Sequence, residues 1–125
     1  MNEKLEEFER YLVNRKVAII GLGVSNLPLL RYMYERKAIV TVFDNREIDD
    51  IPKENFEEIM RYNMRYVFGK NALSELKGFD IIFRAPSCMP TKPELIKAAE
   101  DGAIVTSEIE MLIEMCPRNS YWSNR

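Results

Sequence analysis

The chain has 125 residues, 46% of them hydrophobic and 30% charged, with a formal net charge of −2 and a pI near 5.3. That composition fits one folded domain with a single sizeable core and excludes a disordered chain. It carries no excess of positive charge to hold nucleic acid or an anionic membrane. Histidine is absent, which removes histidine acid–base chemistry and histidine metal ligands; Cys88 and Cys116 are far apart and form no CxxC pair, so no metal site is expected.

No apolar run approaches the roughly 20 residues that span a bilayer. The charged, acidic start from Met1 to Arg10 is unlike a secretory leader, so a cytoplasmic protein is expected. Leu5, Phe8, Leu12 and Val13 recur at helical spacing and predict an amphipathic helix over 3–14. Val17-Ala18-Ile19-Ile20 is a short apolar run closed by glycines, the pattern of a buried parallel strand. A helix over 25–36 follows, with Ser25 or Asn26 as cap and Pro28 in its first turn.

Ile39 to Phe43 is a second β-branched run, closed by Asp44-Asn45-Arg46. A helix over 54–62, a strand from Arg65 to Phe68 and a helix from Asn71 to Leu76 come next. Asp80 to Phe83 reads as a fourth strand, followed by a proline-rich loop from Ala85 to Pro93. Pro93 opens a helix that stops at Asp101-Gly102, and Ala103 to Val105 is a fifth strand. Thr106 or Ser107 caps a last helix running to about Met115, with Glu108 and Glu110 in its first turn. The alternation predicts an α/β fold: a Rossmann-like three-layer sandwich around a five-stranded, mainly parallel sheet. Residues 1–15 form its lead-in helix, 16–117 the domain proper and 118–125 an atypical polar tail.

Three segments fall at carboxyl ends of strands, where such sheets bind ligands. The turn Gly21-Leu22-Gly23-Val24-Ser25-Asn26 joins the first strand to the first helix. Glycines there let backbone N–H groups approach an anion, and the helix N-terminus adds partial positive charge, so the turn is a phosphate cradle or else a plain strand–helix connection. Asn26 stands where the dinucleotide fingerprint has its third glycine. Asp44 is placed as the acid that reads the ribose hydroxyls of NAD, but Asn45 can pair with a base edge and Arg46 can neutralise phosphate or stack on a ring; the alternative is a polar strand-end turn with a capping Asp. The loop Arg84-Ala85-Pro86-Ser87-Cys88-Met89-Pro90 can cover a base or sugar, or serve only as a connection; Cys88 within it lacks any histidine to activate it.

Taken in order, Lys16 to Asn26, Phe43-Asp44-Asn45-Arg46, Ala85-Pro86-Ser87 and Thr106-Ser107-Glu108-Ile109-Glu110 resemble the N-terminal domain of the Mur ligases, most of all their D-glutamate-adding members. The likeness runs from about Leu5 to Pro117. It implies a domain that binds UDP, or UDP-N-acetylmuramoyl-L-alanine, in peptidoglycan synthesis. Gly23, Val24, Ser25 and Asn26 would then face the diphosphate, Asp44, Asn45 and Arg46 would hold uracil and ribose, and Pro86 and Ser87 would close over the nucleotide. Many members of that family have glycine where Asn26 and Ser87 stand here.

In the full-length family a central domain with a GTNGKT-like P-loop binds ATP and Mg²⁺, and a third domain binds the incoming amino acid. This chain contains no GxxxxGK[ST] motif and no catalytic residues are identified in it, so alone it is expected to be inactive as a ligase. The tail Arg118-Asn119-Ser120-Tyr121-Trp122-Ser123-Asn124-Arg125 shows no strand pattern. It can be coded so that the frame one base later reads Glu-Thr-Val-Ile-Gly-Val-Thr-Gly, the start of a P-loop strand; a frameshift and a natural or vector-derived tail are the two readings. For the domain itself the alternatives are a stand-alone NAD-binding module and a remnant that binds nothing tightly.

Overall fold

A computed structural model describes residues 3–21, 27–84 and 92–115. Among the described residues five α-helices and five strands follow in the order α1 (Glu3–Leu12), β1 (Lys16–Ile20), α2 (Leu27–Glu35), β2 (Ile39–Asp44), α3 (Lys53–Arg61), β3 (Arg65–Phe68), β4 (Ile81–Arg84), α4 (Pro93–Glu100), β5 (Ile104–Thr106) and α5 (Ile109–Met115). The sheet order is β3-β2-β1-β4-β5. All four neighbouring pairs are parallel, so the expected "mainly parallel" sheet is parallel throughout.

The central strands are apolar on both faces because both faces are covered. Val17, Ile19, Val40, Val42, Ile81 and Phe83 pack with Phe8 and Leu12 of α1, Leu30 and Met33 of α2, Ile59 of α3 and Leu112 of α5. The opposite face carries Ala18, Ile20, Phe43 and Ile82, packed with Ala72, Leu76 and, from α4, Leu95 and Ala98. Each fully buried Leu, Ile or Phe contributes about 1.5–3 kcal/mol of transfer free energy, so these two apolar layers hold the sandwich together.

Local geometry explains the helix ends. Lys37, Asn63 and Gly102 have φ of 67°, 53° and 107°. Each is followed by an N–H that reaches back five residues: Ala38 to Met33, Met64 to Ile59 and Ala103 to Ala98, at 3.0–3.1 Å. These are Schellman closures, which satisfy carbonyls a helix end leaves open.

Several details differ from the sequence reading, β4 and β5 each lying one residue later than expected. The first helix ends at Leu12, so Val13 is 44% exposed instead of joining the apolar face. The segment 71–76 makes only a 3-10 turn, Ala72–Glu75; the Ser74 hydroxyl bonds the Asn71 carbonyl at 2.7 Å and competes with helical pairing. Thr106 does not take the cap position itself, since the first α5 bond runs from Leu112 N–H to the Glu108 carbonyl. Its hydroxyl instead accepts the Glu108 N–H at 3.2 Å, just ahead of the helix. The helix expected over 25–36 is α2, Leu27–Glu35; Ser25 and Asn26, its expected caps, lie outside the described residues, as does the tail 118–125.

Candidate functional site

Sheet topology marks a switch point. β1 and β4 are neighbours, yet the helices after them, α2 and α4, pack on opposite faces of the sheet. The carboxyl end of a sheet at such a switch point is where ligands of this architecture generally bind. Ile20 is paired with Phe43 on one side and Arg84 on the other, so the ends of β2, β1 and β4 lie side by side there. Gly21 follows Ile20 with φ of 90°, a conformation that favours glycine, and its N–H donates to the Phe43 carbonyl at 2.8 Å.

At the end of β2, the buried Asp44 carboxylate (4% exposed) accepts three bonds from Arg46. Oδ1 takes the Arg46 backbone N–H at 2.9 Å and Nε at 3.0 Å, while Oδ2 takes Nη2 at 2.9 Å. The backbone bond makes an Asx turn, and the side-chain pair is a two-pronged, charge-assisted contact. The hydrogen bond to Asp44 holds the Arg46 guanidinium above its ordinary pKa, against a smaller opposing effect of partial burial. Arginine is charged throughout the accessible pH range in any case.

The result is a planar cation with a fixed plane at the carboxyl end of β2, beside the exposed Asn45. A fixed guanidinium can stack on an aromatic ring, and an amide side chain can both donate to and accept from a base edge. The NAD-type role expected of Asp44 requires both carboxylate oxygens to turn toward two ribose hydroxyls; here both are turned toward Arg46.

Asp44, Asn45 and Arg46 therefore come together as one unit, while Gly23, Val24, Ser25, Asn26, Pro86 and Ser87 lie outside the described residues. One residue at this edge was not singled out from the sequence. Gly69, at φ 117°, donates its N–H to the Asp44 carbonyl at 2.9 Å; a glycine closing the run of β3 was the available signal. Arg84, the first residue of the loop read from the sequence, is the last residue of β4, and the rest of that loop lies outside the described residues. Among the described residues no three His, Cys, Asp or Glu side chains are grouped to hold a metal ion, and no helix is long and apolar enough to cross a membrane.

Fold and strand order together define a Rossmann-like α/β domain with its topological switch point between β1 and β4. Residues 15–107 match the family described as Mur ligase MurD-like, N-terminal domain, and the chain belongs to that family. It is 41% identical over 117 residues to the UDP-N-acetylmuramoylalanine–D-glutamate ligase of Ruminiclostridium cellulolyticum and, over the same length, to that of Clostridium tetani. Each match covers 94% of this chain, and the chain spans 25% of the length of these relatives.

Solved structures support the fold. The nucleotide binding domain of glutamyl-tRNA reductase from Thermoplasma volcanium aligns with a TM-score of 0.51 at 19% identity, covering 90% of this chain and 95% of that one. The A chain of dipicolinate synthase from Bacillus subtilis aligns with a TM-score of 0.54 at 17% identity, covering 70% of this chain and 27% of that one.

Proposed function

We propose that this chain is the UDP-substrate-binding domain of a UDP-N-acetylmuramoylalanine–D-glutamate ligase of peptidoglycan synthesis. The observation that carries the proposal is the Asp44–Arg46 pair at the carboxyl end of β2, in a chain of this family. A carboxylate engaged by its own neighbour is poorly suited to a ribose diol, whereas a fixed guanidinium suits an aromatic base. That weighs against the alternative of a NAD-binding module.

In this reading, Arg46 and Asn45 meet the uracil, and Asp44 holds Arg46 in place. Gly23, Val24, Ser25 and Asn26 face the diphosphate ahead of α2, whose N-terminus favours an anion. Pro86 and Ser87 close over the nucleotide. The chain's share of the reaction is to bind and orient UDP-N-acetylmuramoyl-L-alanine. The ATP- and Mg²⁺-dependent step belongs to the remainder of the ligase, and this chain alone does not perform it. Without contacts from other domains to the sugar and phosphates, binding is expected to be weak.

Amide shift mapping tests the proposal. Addition of UDP, or of UDP-N-acetylmuramoyl-L-alanine, is expected to move the resonances of Asn45 and Arg46 and of residues 23–26. No movement at millimolar ligand would favour the non-binding remnant instead.

A further inference from the structure

We propose that the chain carries a further small-molecule site, a pocket over β1, β2 and β3 that takes an organic anion with an apolar body. It does not rest on the UDP reading. The crossover from β3 to β4, residues 69–80, holds one 3-10 turn, Ala72–Glu75, where a parallel crossover usually holds an α-helix. α4 lies on the same face but packs chiefly against β5, at the far edge of the sheet. A cavity of about 480 Å³ is left beside the short crossover, within the roughly 300–1,000 Å³ of small-molecule sites. Its floor is Ile39, Thr41 and Phe43 of β2 with Val67 of β3. Side chains two apart on a strand share a face, and the Phe43–Val67 pairing sets the two strands level. Phe79 forms one wall, edge-on to Phe43 with ring centroids 5.6 Å apart. Ile39 is 45% exposed, so an apolar body laid against it removes apolar surface from water on both sides.

The rim of the pocket is positive in a chain whose net charge is −2. Lys16, Arg65 and Lys77 line it against one carboxylate, Glu75. Lys16 is paired with Ile39 and Arg65 with Thr41, which sets both cations on the pocket's face of the sheet. None of the three cations belongs to an ion pair of the described residues. Asp80, the acid beside this group, accepts the Lys16 backbone N–H at 3.0 Å. An apolar floor under a cationic rim is complementary to a carboxylate that carries a ring. A bare anion leaves the floor wet, and a neutral ring leaves the cations without a counter-charge.

Amide shift mapping of the full chain with three matched probes tests the site: 3-phenylpropionate, its neutral amide, and acetate. The phenylpropionate is expected to move Thr41, Phe43, Val67 and Phe79 and to leave Asn45 and Arg46 in place. The amide and acetate should each bind at least about threefold more weakly. Lys77→Ala, a change at an exposed side chain, should weaken phenylpropionate about two- to fivefold, the scale of one solvent-exposed charge pair, and Glu75→Gln should tighten it. Phenylpropionate that moves none of the four residues at millimolar concentration overturns the site. So does an amide that binds as tightly as the carboxylate, a comparison made on the wild-type chain and free of any folding defect in a variant. Unchanged affinity in Lys77→Ala removes the cationic rim from the account and overturns the anion assignment. UDP binding is read at Asn45 and Arg46, so failure here leaves the UDP reading standing, and failure there leaves this pocket standing.

Discussion

Asp44 and Arg46, two residues apart, are joined through both carboxylate oxygens, with Nε–Oδ1 at 3.0 Å and Nη2–Oδ2 at 2.9 Å. Asp44 is 4% exposed while the Arg46 side chain is 40% exposed, so the acid is the buried anchor and the guanidinium the solvent-facing half of the pair. Asp44→Ala is expected to weaken UDP binding about tenfold by releasing Arg46. In an Arg46→Ala background the same substitution should cost little more, because residues that act through one another are not additive. Calorimetric titration of the four variants of this cycle checks it. Additive losses would mean that Asp44 contacts the nucleotide directly.

The lead-in helix belongs to the core. Phe8 and Leu12 are both fully buried, packed with the β1, β2 and β4 side chains, and Phe8 stacks on Tyr32 of α2 with ring centroids 6.4 Å apart. Phe8→Ala is expected to cost about 3–5 kcal/mol, the range for deleting a buried aromatic. That is a large part of the total for a domain whose stability is of order 5–15 kcal/mol. Urea unfolding followed by circular dichroism measures it; a loss below about 1 kcal/mol would contradict the packing of α1.

Gly69 ties β3 to the site. An added Cβ would sit 3.3 Å from Glu47 Oε2, the end of a side chain that can move, so the backbone at φ 117° is the larger obstacle. Gly69→Ala should therefore destabilise by about 1–2 kcal/mol. Glu47→Ala in the same chain should not restore stability. Thermal unfolding of the single and double variants distinguishes backbone strain from a steric clash.

A second polar cluster sets the pH response. Tyr32 Oη and Arg36 Nε both donate to Glu9 Oε2 at 3.0 Å, and Arg36 lies 3.9 Å over the Tyr32 ring. The Arg36 hydrogen bond is the main cause that holds Glu9 below its ordinary value of 4.5, so Glu9 contributes stability above that pH and loses it as pH falls through the folded value. Each side chain of the Glu9–Arg36 pair is 31% exposed, which keeps the contribution under about 1 kcal/mol. Burial first, and the bond to Glu9 second, push Tyr32 from 10.0 up to about 12. The folded state then keeps a proton that the unfolded state releases, and stability falls as pH rises across that interval. Glu9→Gln should flatten the acid limb and Tyr32→Phe the alkaline limb of a stability profile; unchanged limbs would contradict the cluster.

Much of the fold was legible because its signals are local. The strand Arg65–Phe68 is bounded by Asn63, in a left-handed turn, and by Gly69, so its limits follow from the sequence. Runs such as Val17 to Ile20 declare strands covered on both faces. The stretch from Asn71 to Leu76 has helix-forming residues but too few of them, and one 3-10 turn results. The site was legible as a place, since Asp44 and Gly21 mark strand ends. Its electrostatics were not. The Asp44–Arg46 pairing depends on an Asx turn and on two rotamers, and the placing of β4 beside β1 follows from pairing distant in sequence. Strand order is a long-range property that no local pattern encodes.

The strand ends of β1, β2 and β4 are expected to take a uridine nucleotide and not a nicotinamide one. Parallel calorimetric titrations of the full chain with UDP and with NADH, at the same ionic strength, distinguish the two. UDP should bind weakly but saturably, with NADH at least about tenfold weaker. NADH binding as tight as UDP or tighter would show that the uridine reading is wrong.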